Sequence, residues 1–430
     1  MTDSDVPQTV GSELNEAVPY RGAAADLLRD RRIILGVTGG IAAYKAAALV
    51  TRLRERGAIV RVIMTEGAKW FVTETTFASL SGNAVGSRMF GVELGDELQH
   101  IHLQEFGEVM LVVPTTANTL AKVAHGICED LLSTSIVAAT YPVIFAPAMN
   151  YQMWENPIVQ GNVRTLQEAG YGMVMPEHGR LASGAIGTGR LASEEFLIGA
   201  IEMALLGHLP QQSLTGKKVV VSAGPTREAL DPVRFISNHS TGKQGYAIAA
   251  EAQHRGAQVT LVSGPVEMKP PPGVDLICVT TNAEMKEAVL RAVNGSDVFI
   301  SAAAPADFRP MQVSDSKIKK SELGDSLTVQ LEKTDDILVA VDRHARPPLL
   351  VGFAAETGDA VTKAKGKLTA KNLDLLVVND VTEEGCGFGT DTNRVVILRR
   401  DGSQKSLPLM SKQAVAAALF DEIASLTIST

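Results

Sequence analysis

Short runs rich in valine and isoleucine alternate with stretches of helical spacing along almost the whole chain, and the alternation runs through twice. It begins at Ile33–Val37, which ends in Thr38-Gly39-Gly40 and leads into a helix-type run from Ala42 to Arg54, stopped at Gly57. Further strand-like runs stand at Ile59–Met64, Val109–Val113, Val143–Ala146 and Tyr171–Met175, and Glu194–Leu206 reads as a closing helix. Strands separated by helices pair in parallel, and a parallel sheet is covered by helices on both faces. His208–Gly216 is polar and without periodicity, so it reads as a linker. The pattern then restarts with strands at Val219–Ser222, Val259–Ser263, Val298–Ala302, Leu349–Phe353 and Leu375–Val378, and a helix from about Gly245 to Arg255. The spacing predicts an α/β chain of two domains, divided as a disordered tail 1–28, a first domain 29–207, a linker 208–215 and a second domain 216–430.

Bulk properties narrow the function. A length of 430 residues leaves room for two or three domains that each bury a core. The formal net charge of −8 argues against a nucleic-acid-binding face. Cys128, Cys278 and Cys386 are far apart and form no CxxC pair, which excludes a disulfide scaffold and suits the reducing cytoplasm. No apolar run reaches the roughly 18 residues of a membrane-spanning helix. The first twenty residues are acidic and lack an apolar stretch, unlike a signal peptide.

Two segments of the first half sit where an open α/β sheet binds ligands, at the carboxyl ends of strands. In GVTGGIAAYKA, Gly39 and Gly40 let backbone approach a phosphate at a helix N-terminus, or simply make a tight strand-to-helix turn. The motif is not GxGxxG, and the second strand ends in Met64-Thr65 without the carboxylate that would hold a dinucleotide ribose, so FMN fits better than NAD. Thr115, Thr116, Asn118 and Thr119 carry hydroxyls and an amide that bond a phosphate or a flavin edge, or cap a helix. The candidate FMN contacts are therefore Gly39, Gly40, Thr65, Thr115, Thr116, Asn118 and Thr119.

Pro147-Ala148-Met149-Asn150-Tyr151-Gln152-Met153-Trp154 resembles the PxMNxxMW motif of phosphopantothenoylcysteine decarboxylases, which are homo-oligomeric flavin-containing cysteine decarboxylases. His100-Ile101-His102-Leu103 resembles their active-site histidine segment, and GRLASGAIGTGR (Gly179–Arg190) resembles their substrate clamp. The resemblance implies a flavodoxin-like or Rossmann-like flavin domain, with His100 catalytic and Asn150 on the substrate carboxylate. FMN would take a hydride from the thiol side, CO₂ would leave, and the hydride would return. One departure stands out: Ser183 occupies the position where these enzymes usually carry a proton-donating cysteine. An alcohol is a far poorer acid than a thiol of pKa about 8.5.

In the second half, Ser222–Gly245 separates a strand from its helix by a long loop, and such loops are usually functional. Its STGK is not a P-loop, since Ser237 stands where the first glycine belongs. The segment resembles the signature of phosphopantothenate–cysteine ligases, with Asn238 in SNHSTGK. Further matches follow in order: SAAAPADFRP with Asp307, Lys317-Ile318-Lys319-Lys320, Lys333-Thr334-Asp335-Asp336-Ile337, GFAAET with Phe353, and AKGKLTAKNLDLLVVND with Lys367 and Lys371. The resemblance implies a Rossmann-like ligase domain that activates phosphopantothenate with CTP as an acyl-cytidylate, which cysteine then attacks. Asn238 would bind the acyl intermediate and Lys317 would stabilise charge on phosphate oxygens. Asp335, Asp336, Ile337, Phe353, Lys367 and Lys371 would hold the nucleotide. Mg²⁺ would ride on the triphosphate, with Asp307 contacting metal, ribose or base.

The resemblance runs from about residue 29 to the end, which points to a bifunctional, multidomain enzyme of coenzyme A biosynthesis. It implies small-molecule partners only (phosphopantothenate, cysteine and CTP) and a homo-oligomer, with trimeric decarboxylase and dimeric ligase units combining into a dodecamer. A dinucleotide oxidoreductase lacks support for want of GxGxxG and the strand-end acid. A flavodoxin-like electron carrier leaves the lysine-rich second half unexplained.

Overall fold

The computed structural model describes residues 26–89, 99–210, 213–319, 327–357 and 360–427. The first half forms a sheet of five strands: β1 (Arg32–Val37), β2 (Ile59–Met64), β3 (Val109–Thr115), β4 (Val143–Pro147) and β5 (Gly172–Met173). Their order is β2-β1-β3-β4-β5 and every pairing is parallel. Along β1 and β3 successive residues serve opposite faces. Ile33, Leu35, Val37, Val109, Leu111 and Val113 pack with one helical layer, and Ile34, Met110 and Val112 with the other. That is the period-2 pattern of a strand buried on both sides, and each such side chain contributes roughly 1.5–3 kcal/mol of burial.

The second half builds a larger sheet. Numbering its parallel strands by sequence, the order is 3-2-1-4-5-6, with strand 1 at Lys218–Ala223, strand 2 at Gln258–Ser263, strand 3 at Asp275–Cys278, strand 4 at Val298–Ser301, strand 5 at Leu349–Glu356 and strand 6 at Leu375–Asp380. These six are parallel, and two antiparallel strands, Val396–Arg399 and Gln404–Ser406, extend the edge. The expected strand and helix positions agree with the observed ones to within a few residues. The antiparallel edge and the short hairpins were not anticipated.

The two halves are packed on each other. The helix Glu194–Leu205, which closes the first half, lies against the C-terminal helix Lys412–Thr427. Between them Arg255 is buried among Glu251 (2.7 Å) and Asp421 (2.7 Å), and His208 reaches Asp421 at 3.1 Å. Of the stretch read as a tail, residues 1–25 lie outside the described residues, whereas Asp26, Leu27 and Leu28 are held in the fold. Asp26 pairs with Arg56 at 2.7 Å, and Leu27 joins the core of the second half, its N–H donating to the Leu409 carbonyl at 3.1 Å. Within the segment read as a linker, Leu214 is buried in that same core. An apolar residue inside a polar run finds its partner through tertiary packing, which no local pattern reports. No helix among the described residues is long and apolar enough to cross a membrane.

Candidate active sites

In an open parallel sheet the ligand crevice lies beyond the carboxyl ends of the strands, where the strand order reverses. In the first sheet this point falls between β1 and β3, so the loops after them, Thr38–Ala42 and Pro114–Thr116, become neighbours. Thr38 ties them together, its hydroxyl donating to the Pro114 carbonyl (2.7 Å) and accepting from the Thr116 N–H (3.1 Å). Gly39 has to be glycine, because a Cβ there would sit 2.8 Å from the backbone of Gly67. The helix Ala43–Glu55 that follows Gly40 has no side-chain cap, and of its leading N–H groups Ala43 N and Lys45 N are already taken by the Gly40 (2.9 Å) and Ala42 (3.0 Å) carbonyls, so an anion there meets mainly the positive end of the helix. Thr65 opens the turn after β2, with its N–H on the Val37 carbonyl.

The hydroxyl cluster after β3 divides its labour. Thr115 is fully buried and spent on the scaffold: it donates to the Val112 carbonyl (2.6 Å) and accepts from Ala146 N (3.1 Å). Thr116 caps the helix Ala117–Ala124 by accepting from Thr119 N, and Asn118 is exposed. At the end of β4, Asn150 caps the single turn Tyr151–Trp154 through Oδ1, which accepts from Gln152 N at 2.9 Å. What Asn150 can offer a carboxylate is therefore its pair of amide N–H donors. His100 lies on the helix Gln99–Phe106, and its side chain is outside the described residues.

The clamp segment is an antiparallel hairpin, β6 (Glu177–Arg180) and β7 (Ile186–Arg190). It presses on the Asn150 turn: Met149 N donates to the Gly189 carbonyl at 3.0 Å, and Cβ atoms at Gly187 and Gly189 would fall 2.7 Å from Tyr151 and 2.2 Å from the Met149 carbonyl oxygen. Ser183 is exposed at the hairpin tip. At the hairpin base, Lys45 faces Arg190 and Glu177, and burial together with Arg190 lowers its ammonium pKa. Sequence reading passed over Lys45, although its place one turn into the first helix, in YKA, was the available signal.

In the second sheet the order reverses between strands 1 and 4. A cavity of about 190 Å³ opens there, lined by Asn238, Ser240, Lys243, Phe353, Asn379 and Lys412 among others. The long loop ends at Gly242, with φ +78, which caps the helix Lys243–His254. Asn238 Oδ1 accepts from Ser240 N at 3.0 Å, shaping the loop rim. Asp231 anchors the other end of this loop by accepting from Arg234 (2.9 Å to Nε), Val233 N and Ile318 N. The Arg234 guanidinium and these N–H groups hold its carboxyl well below the usual carboxylate range. Asp231 thereby places exposed Lys317 beside the loop; Lys320 lies outside the described residues.

The other nucleotide candidates gather outside this cavity. Asp336 caps the helix Ile337–Asp342, accepting from Leu338 N and Val339 N, and pairs with Lys371 at 2.8 Å. Lys367 pairs with Glu356 at 2.5 Å and Asp335 with Lys286 at 2.7 Å. Asp307 is exposed, and its carbonyl accepts from Thr334 N at 2.9 Å. The structure thus joins Asn238 with Phe353, and Asp336 with Lys371. Among the described residues no group of three or more His, Cys, Asp or Glu stands ready to hold a metal. Sequence reading missed Lys412, which lies far from every motif. It is buried, and burial followed by the charge of Lys243 pushes its ammonium down to about 8.

Comparison with known proteins accounts for both halves. Residues 22–206 match the family described as flavoprotein, and residues 214–426 match the DNA/pantothenate metabolism flavoprotein C-terminal domain. The coenzyme A biosynthesis bifunctional protein CoaBC of Bacillus subtilis (strain 168) is 45% identical over 408 residues, covering 94% of this chain and 99% of the relative. The chain belongs to the coenzyme A biosynthesis bifunctional proteins. The relatives of the same name from Vibrio cholerae and Escherichia coli (strain K12) are 44% and 43% identical over 91% and 92% of this chain and 97% of each relative. The chain is accordingly a bifunctional enzyme, a phosphopantothenoylcysteine decarboxylase in its flavoprotein half and a phosphopantothenate–cysteine ligase in its second half.

Proposed function

We propose that the two halves act in sequence, the ligase with CTP and the decarboxylase with FMN. The observation that supports this reading is that each half has some of its motif residues at the reversal point of its own sheet, Gly39, Gly40 and Thr116 in the first and Asn238 and Phe353 in the second. The uncapped N-terminus of Ala43–Glu55, with Gly39 and Gly40 beneath it, suits a flavin phosphate. FMN would take the hydride that turns the cysteinyl thiol into a thioaldehyde, and that thioaldehyde is the electron sink the carboxylate otherwise lacks when CO₂ departs. The protein's part is to hold the carboxylate with the Asn150 amide, to move protons through His100, and to close the Gly179–Arg190 hairpin over the substrate. Ser183 takes the clamp position, and the final proton comes from water or another acid held nearby.

In the ligase half, phosphopantothenate occupies the cavity at Asn238, its phosphate toward the helix that starts at Lys243. CTP lies across Phe353 toward Asp336 and Lys371, and Lys367 closes on its phosphates. The carboxylate attacks the α-phosphate of CTP, pyrophosphate leaves, and Lys317 stabilises the charge that develops. The cysteine amine then displaces CMP. Among the described residues no cluster of three or more His, Cys, Asp or Glu is present, which suits a Mg²⁺ carried mainly by phosphates and water, with Asp307 as its candidate protein contact. The enzyme works in the cytoplasm as a dodecamer of trimeric decarboxylase and dimeric ligase units. The test is to supply the purified chain with phosphopantothenate, cysteine, CTP and Mg²⁺. CMP, pyrophosphate and CO₂ should appear in equal amounts, with FMN released on denaturation. Turnover with ATP but not CTP, or a colourless active enzyme, would overturn the cofactor assignments.

A further inference from the structure

Glu202 belongs to the flavoprotein half, yet half of its partners belong to the ligase. It sits fully buried on the helix Glu194–Leu205, where burial raises its carboxyl pKa while Arg56 and Ser411 pull it back. Arg56 meets it at 2.5 Å and is itself held by both oxygens of Asp26. From the ligase side, the Ser411 hydroxyl donates to Glu202, and the Ser411 N–H donates at 3.0 Å. A carboxylate this deep is tolerated only while every partner stays in place, so it fixes the position of Ser411 closely.

Ser411 is where the ligase cavity is hung. It ends the two-residue strand Met410–Ser411, which pairs antiparallel with Thr392–Asn393. Asn393 lines the cavity, is 4% exposed, and its buried Oδ1 has no hydrogen-bond partner among the described residues. The next residue, Lys412, also lines the cavity and donates to the carbonyls of Gly387 and Thr390, which holds the loop that forms one wall. Gln244, which also lines the cavity, is fixed by its Nε2 donating to the Lys412 carbonyl at 3.1 Å. We infer that Glu202 is a positioning residue for the ligase: a carboxylate of the flavoprotein half sets the shape of the cavity that takes phosphopantothenate.

The inference rests on the reading that phosphopantothenate fills this cavity. It is tested in the full chain with Glu202→Gln, which keeps the side-chain shape, and with Ser411→Ala, a milder change that removes only the hydroxyl contact. A hydrogen bond to a charged group corresponds to roughly ten- to hundredfold in an equilibrium. The expected result is a rise of about tenfold in KM for phosphopantothenate, at the lower end of that range. The KM for CTP, the FMN content, and the decarboxylation of separately supplied phosphopantothenoylcysteine should hold. Unchanged KM for phosphopantothenate overturns the inference. So does a parallel fall of both activities with the melting temperature, which is what a purely structural contact would give. If the parent chain itself forms no CMP, the ligase reading beneath it has failed instead.

Discussion

Replacing Gly189 by alanine tests how the clamp governs the decarboxylase. A Cβ at this position falls 2.2 Å from the Met149 carbonyl oxygen, whereas tolerated contacts begin between 3.0 and 3.4 Å. That oxygen is backbone and cannot swing aside, so hairpin or turn must retreat by about 1 Å, within the cost of roughly 1–3 kcal/mol typical of overpacking. The neighbouring residue in the turn is Asn150, and a displacement of about 1 Å at a substrate-orienting group costs on the order of a hundredfold in rate. Gly189→Ala should therefore lower kcat/KM for CO₂ release about a hundredfold while ligation in the same sample, the internal reference, is unchanged. Gly184→Ala is the control. Its φ of +85 makes alanine strained, but nothing lies within 4 Å, so the loss should be limited to the fivefold that about 1 kcal/mol represents. The reasoning fails if Gly189→Ala, folded and yellow, decarboxylates within about threefold of the parent, roughly 0.7 kcal/mol.

Other outcomes are open to measurement. His100→Asn and Asn150→Asp should abolish decarboxylation and spare ligation, and Lys317→Gln the reverse, with CO₂ and CMP followed separately; loss of both activities in one folded variant would show that the sites are not independent. Ser183→Ala should leave flavin reduction intact in single-turnover absorbance and reduce product formation only in part, while loss of flavin reduction would mean that Ser183 acts before CO₂ departs. Lys412 faces Lys243, Asp391 and Cys386, and its folded pKa near 8 lies below the ~10.4 of an unfolded lysine. Between those values the unfolded chain binds the extra proton, so this residue makes stability rise with pH, and below pH 8 its contribution is flat and unfavourable. Lys412→Met should flatten that rise when thermal midpoints are compared at several pH values across the window, and an identical slope in the two proteins would contradict the assignment.

The parallel strands were readable because burial on both faces leaves uninterrupted apolar runs, as at Ile33–Val37 and Val109–Val113. Asn150, Asn238 and Asp336 were singled out as members of motifs, and each caps or shapes the turn in which it stands. Lys412, Asn393 and Glu202 were not, because their meaning is a tertiary meeting: Glu202 and Ser411 are separated by 209 positions. Nor could the sequence separate Thr115, consumed by the scaffold, from Thr116 beside it, since both are hydroxyls in one short run.

The joint at Leu27 and Leu409 also sets an order of events during synthesis. Leu27 leaves the ribosome first, and the carbonyl that accepts its N–H emerges roughly 380 residues later. At about 5–20 residues per second this interval lasts on the order of 20–80 s. Throughout it the flavoprotein half can complete its own sheet, whose strands all lie before residue 174, while Leu27 and Glu202 stand without their C-terminal partners. The two halves can thus be joined only after Leu409 and Ser411 have been made, and until then the nascent chain exposes a carboxylate and a leucine, both destined for burial.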